Sequence, residues 1–68
     1  MNRVLYFQIM DPENLVKIFG DNGYECKSYN TGGLKVFVTA DGFQEFKLLL
    51  SEAVTIAVRL GARFLGFE

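Results

Sequence analysis

The side chains able to do chemistry are few and scattered. The 68-residue chain has no histidine, so the commonest general base, proton shuttle and metal ligand is missing. Its single cysteine, Cys26, lies in the middle of a strand-like run and reads as a small buried hydrophobe, not a nucleophile. Asp11 and Glu13 are close enough in sequence to suggest an acid/base pair. They flank Pro12, however, and the electrostatics of a helix start explain them better. Thr31-Gly32-Gly33-Leu34-Lys35 has the glycines and lysine of a phosphate nest, but it joins two strand-like runs and opens no helix. Ser51 falls within a helical pattern with no base to activate it. No HExxH, Cys-x-x-Cys or Walker A spacing occurs. The expectation is a non-enzymatic protein, with no catalytic residue, no metal and no cofactor.

Size and charge narrow the classes further. One domain spanning residues 1–68 is expected. A chain this short buries only about 60 % of its unfolded surface, so good packing or oligomerisation must stabilise it. Half of the residues are apolar, which argues against disorder. A net charge of −1 and a pI near 5.3 give no electrostatic footprint for duplex nucleic acid or an anionic membrane. The run Val4–Met10 is short and stops at Asp11-Pro12, unlike a secretory signal. With one cysteine, a reducing, cytoplasmic setting is expected. Glu45, Lys47, Glu52 and Arg59 argue against a membrane span in the longest apolar segment.

That segment, Asp41–Leu60, reads as a helix. Asp41 is an expected N-cap, with Gln44 three residues on completing a capping box. Gly61 suits a left-handed C-cap. Phe43, Phe46, Leu49, Leu50, Ala53, Val54, Ile56, Ala57, Val58 and Leu60 fill an arc roughly 200° wide, about twice what a surface helix needs. The expectation is a helix sunk deep in the core. Leu48 stands alone on the polar side, and the flank at Val54 and Val58 is the second candidate contact surface.

The remaining elements are short. Arg3–Met10 alternates as a strand, with Leu5, Phe7 and Ile9 on one face and Val4, Tyr6, Gln8 and Met10 on the other. Asp11-Pro12-Glu13 starts a two-turn helix whose Leu15, Ile18 and Phe19 share a face. Tyr24–Tyr29 and Leu34–Thr39 read as a hairpin about Asn30-Thr31-Gly32-Gly33. Ala62–Phe67 reads as a last strand that Gly66 weakens. The order β-α-β-β-α-β predicts a ferredoxin-like α+β fold: a four-stranded antiparallel sheet, its first and third strands central, with two helices on one face. Cys26 and Phe64 then join the core.

The other face is left uncovered. Alternation places Val4, Tyr6, Gln8, Glu25, Lys27, Tyr29, Lys35, Phe37, Thr39, Arg63, Leu65 and Phe67 there. Half of these are apolar or aromatic, where a solvated antiparallel face reads polar. Contiguous apolar patches mark contact sites. The expected function is therefore a small protein-interaction module, a stoichiometric regulator, adaptor or inhibitor of the kind phages and mobile elements encode. It would act on a protein partner or on a second copy of itself. The expected contact residues are Tyr6, Gln8, Tyr29, Lys35, Phe37, Leu65 and Phe67. The competing bland reading is a mildly apolar solvent face with no role.

Two resemblances offer alternatives. Leu5-Tyr6-Phe7 resembles the start of the first-strand motif of RNA-recognition motifs, which implies single-stranded nucleic-acid binding with Tyr6 and Phe37 as stacking residues. Gly33–Ala40 departs from that family, with one aromatic where it usually has three and no leading basic residue with its glycine. The acidic pI also argues against nucleic acid. Asp11–Phe19 followed by Gly23-Tyr24-Glu25 resembles the first loop and helix of ACT domains, amino-acid-sensing dimers of the same element order. That resemblance implies a small-ligand site beside Asp11 and Asn14. Glu13 and Asn14 stand where the family prefers glycine.

Overall fold

The computed structural model describes residues 1–68. The elements run β1 (Asn2–Gln8), α1 (Pro12–Asp21), β2 (Glu25–Tyr29), β3 (Gly33–Thr39), α2 (Phe43–Arg59) and β4 (Arg63–Phe67). The strands form one antiparallel sheet in the order β2-β3-β1-β4, and both helices pack on the same side of it. This is the ferredoxin-like α+β arrangement that the order of elements predicts. Its core is Leu5 and Phe7 of β1, Leu34, Val36 and Val38 of β3, Leu15 and Phe19 of α1, Phe46, Ala53 and Ala57 of α2, with Ala40 and Ala62 at the joins. Ile9, Cys26 and Phe64 pack against it half-buried. Val16, not Ile18, lines the core from α1, because that flank faces β2, where Cys26 Sγ donates to the Val16 carbonyl at 3.5 Å.

β1 ends at Gln8, two residues before the expected limit. The Ile9 amide leaves the ladder to bond the Gly32 carbonyl of the hairpin loop at 2.8 Å. That loop is Asn30-Thr31-Gly32, one residue shorter than expected, because Gly33 already pairs with Tyr29. Asn30 and Gly32 both take positive φ, 49° and 80°, so the loop needs residues that tolerate the left-handed region.

The two helix starts differ from each other. Asp11 is the N-cap of α1 and accepts the Glu13 amide at 3.3 Å. Asp41 is not the cap of α2. Gly42 is, with extended backbone and no side-chain cap bond, and its carbonyl accepts the Phe46 amide at 3.0 Å. The helix begins one residue later than its acidic signal suggests, which breaks the expected Asp41–Gln44 box. Asp11→Ala is therefore expected to cost about 1 kcal/mol, and Asp41→Ala within about 0.5 kcal/mol of nothing. The midpoints of urea unfolding, compared at equal slope, check the difference. At the other end of α2 the expected cap is present. Gly61 has φ 88°, Ala62 N–H donates to Ala57 O at 2.9 Å and Gly61 N–H to Val58 O at 3.0 Å, a Schellman pair of bonds.

α2 is not sunk deep in the core. Only Phe46, Ala53 and Ala57 are buried, a narrow stripe whose two alanines let the helix lie close on the sheet. Leu49, Leu50, Val54 and Ile56 are half-buried on either side. Phe43, Val58 and Leu60 are exposed, as is the isolated Leu48.

Candidate interaction surface

Pairing of the four strands puts the side chains of the uncovered face into cross-strand rows. One row reads Glu25, Phe37, Val4, Glu68. The next reads Lys27, Lys35, Tyr6, Gly66, and the third Tyr29, Gly33, Gln8, Arg63. Tyr6, Gln8, Tyr29, Lys35 and Phe37 thus share the face they were expected to share. Leu65 joins them, half-exposed, in a depression that Gln8 and Tyr29 also line.

Phe67 does not. The β1–β4 register slips between Phe64 and Gly66, so Leu65 is an extra residue with no partner on β1. One inserted residue reverses the alternation beyond it. Phe67 therefore pairs with Leu5 and turns to the helix side, where its ring lies 5.1 Å from that of buried Phe46. Glu68 takes its place on the uncovered face. Its backbone exchanges two bonds with Val4, at 3.1 and 2.9 Å. The signal for this was Gly66, whose φ of 135° marks the bulge. A glycine inside a strand suggests a bulge as readily as a fraying end.

The centre of the face is tied together. Lys35 Nζ sits 5.2 Å from the Tyr29 ring centre and 5.9 Å from that of Tyr6, a cation held by two π faces. The two tyrosine rings meet edge to face at 5.9 Å. Tyr29 leans over Gly33, where an added Cβ would lie 2.8 Å from the ring and 2.6 Å from the Tyr29 carbonyl oxygen. Gly33 is needed for that close approach. Tyr6 Oη donates to Glu68 Oε1 at 3.0 Å. The bond to a carboxylate holds the Tyr6 phenol above its ordinary value, with desolvation and the Glu68 charge adding to it. Phe37 is 38 % exposed, so the apolar surface beside this network is accessible.

Both sheet edges are guarded. The outer strand β2 exposes Glu25, Lys27 and Ser28, and β4 is broken by its bulge. Charges and bulges are the usual devices against edge-to-edge pairing. They leave the face, not the edges, free for contact. Compared with protein-family models, curated proteins and solved structures, the chain matches none.

A second apolar surface lies along the α2 flank nearest β4. Phe43 is 59 % exposed, Val58 54 % and Phe67 47 %, and the rings of Phe43, Phe46 and Phe67 follow one another at 6.4 and 5.1 Å. Lys47 Nζ covers part of Phe43 at 5.3 Å. No helix is long and apolar enough to cross a membrane.

On the opposite flank, Tyr24 Oη donates to the Leu49 carbonyl at 3.3 Å, and its ring meets that of Phe19 edge to face at 5.5 Å. Burial, then the charge of Glu52, pushes its phenol from 10.0 up to about 12. The fold favours the neutral phenol, so this contribution to stability is complete below pH 10 and is lost as pH rises through about 12. Tyr24→Phe is expected to flatten the loss of stability over that window. Urea midpoints across alkaline pH check it, with phenolate absorbance reporting the titration.

Proposed function

We propose that the chain is a protein-interaction module that docks through the uncovered face of its sheet. The observation that carries this reading is the Tyr6–Lys35–Tyr29 cluster with exposed Phe37 beside it. Ordered aromatic side chains lose little entropy on contact and dominate interface energetics. A domain of this size also has little core to spare, yet it places this aromatic surface outside that core. The chemistry-poor inventory supports a stoichiometric role, as regulator, adaptor or inhibitor, over a catalytic one. A single, half-buried thiol at Cys26 is in keeping with a reducing, cytoplasmic setting.

The face also weighs against base stacking. The Lys35 ammonium lies over the rings of Tyr6 and Tyr29, at 5.9 and 5.2 Å, and Glu25 and Glu68 end the row that holds Phe37. A small-ligand reading has one observation in its favour, a depression of about 340 Å³ lined by Met10, Asp11, Asn14 and Leu60. Thermal stabilisation by a free amino acid would support it, and a flat screen of all twenty would remove it.

Inserting a charge at each surface tests the docking face. Phe37→Asp is expected to abolish association, measured by sedimentation for a second copy and by recovery of bound protein for another partner. Val58→Asp is expected to leave association intact. The reverse outcome would move the contact to the α2 flank. Far-UV circular dichroism monitors the fold of both variants.

A further inference from the structure

The charges of the uncovered face are sorted along the strands. Both acids, Glu25 and Glu68, lie in the row of Phe37 and Val4. All three cations, Lys27, Lys35 and Arg63, lie in the two rows beyond it. Lys27 and Lys35 stand directly opposite each other across β2 and β3. Like charges in that position repel, and nothing on the face neutralises them both. Next to this pair is a depression of about 210 Å³, floored by Gly33 and walled by Tyr29, Gln8 and Leu65. A second depression, of about 470 Å³, shares Gln8 and Thr31 with it and is also lined by Arg63 and the fully exposed Met10. No acidic side chain lines either one.

Resting on the reading of the face as a protein-docking surface, we infer that its cationic half takes an acidic segment of a partner protein. One carboxylate sits between Lys27 and Lys35, relieving their repulsion, and a second lies near Arg63. An apolar side chain between them fills the depression lined by Gln8, Tyr29 and Leu65. Charge complementarity selects a protein segment over a nucleic acid. A nucleic acid would bring a phosphate charge with every nucleotide to a chain that already carries a net charge of −1, with Glu25 and Glu68 in the neighbouring row.

The test is an amide NMR titration of the full chain with a short synthetic peptide of alternating glutamate and leucine. The same peptide with glutamine for glutamate and an oligothymidylate serve as the other arms. The glutamate peptide is expected to shift Gln8, Lys27, Tyr29, Lys35 and Arg63, and to bind more weakly as salt is added. Lys27→Glu combined with Arg63→Glu is expected to weaken it by about tenfold or more. Both residues are exposed, and Lys27→Gln with Arg63→Gln should give an intermediate loss on an undisturbed fold. Equal binding of the glutamine peptide would overturn the acidic preference, as would tighter binding of the oligothymidylate to the same residues. If the glutamine peptide binds equally while Phe37→Asp still abolishes association, the docking face stands without its acidic partner. If neither peptide touches the face and Phe37→Asp changes nothing, both readings fall.

Discussion

Phe7→Ala is expected to remove a large share of the chain's stability and to lower its thermal midpoint sharply. Phe7 is completely buried, and its ring lies 5.9 Å from that of Phe19 and 5.3 Å from that of Phe64. It joins the central strand, the first helix and the edge strand, so its loss opens a cavity at the meeting point of three elements. Truncating a buried phenylalanine costs about 3–5 kcal/mol. A folded chain of this length has roughly 3–10 kcal/mol in total. No other layer covers the gap, because the opposite side of the sheet is bare. Thermal unfolding followed by circular dichroism measures the effect. A well-folded Phe7→Ala variant with a midpoint near wild type would mean that the core is not built as described.

The residue before it should behave in the opposite way. Tyr6→Ala combined with Phe37→Ala is expected to leave the fold intact and to abolish association. Neither side chain belongs to the buried cluster, and the ladder bonds of β1 and β3 come from the backbone, which the substitutions keep. What the double variant removes is the exposed aromatic part of the uncovered face. Without Tyr6, Lys35 keeps only the Tyr29 ring, and Glu68 loses its phenol donor. Without Phe37, the apolar part of the adjacent row is reduced to Val4. Aromatic anchors of this kind carry a disproportionate share of binding energy, so losing two of them is expected to eliminate binding. Sedimentation and partner recovery read the association, and thermal midpoints read the fold. A double variant that unfolds would make these rings structural; one that binds normally would place the contact elsewhere.

The contrast between adjacent residues shows what the sequence made legible. Strand alternation separates Tyr6 from Phe7 without any coordinates, because successive side chains must point to opposite faces. The same rule places Lys35 and Phe37 away from Val36 on β3. Element order and the preference for right-handed crossovers then fix the sheet order. The alternation rule fails at Leu65. An inserted residue shifts the parity of everything after it, and Phe67 and Glu68 exchange faces. Gly66 hinted at this, but a lone glycine does not say which residue bulges. The cap of α2 failed for a related reason. Gly42, next to Asp41, takes the extended N-cap position itself and starts the helix one residue later.

The α2 arc misled in a different way. Its width suggested deep burial, yet the helix lies on a four-stranded sheet that covers only its Phe46–Ala53–Ala57 stripe. The sheet ends at β4, and Phe43 and Val58 extend past what it can cover. The close contact of Lys35 with two tyrosines was likewise beyond the sequence. Register places the three residues on one face, but the lean of Tyr29 over Gly33 depends on side-chain packing that periodicity does not encode.

Contact through the uncovered sheet face would protect different side chains from contact through the α2 flank. Hydroxyl-radical footprinting of the full chain, alone and together with the partner or second copy that the proposal calls for, separates the two because it reads both surfaces in one sample. Tyr6, Tyr29, Phe37 and Leu65 are expected to become protected on association while Phe43, Val58 and Leu48 keep the reactivity of the free chain. Protection of Phe43, Phe67 and Val58 with Tyr6 and Phe37 unchanged would contradict docking through the sheet face.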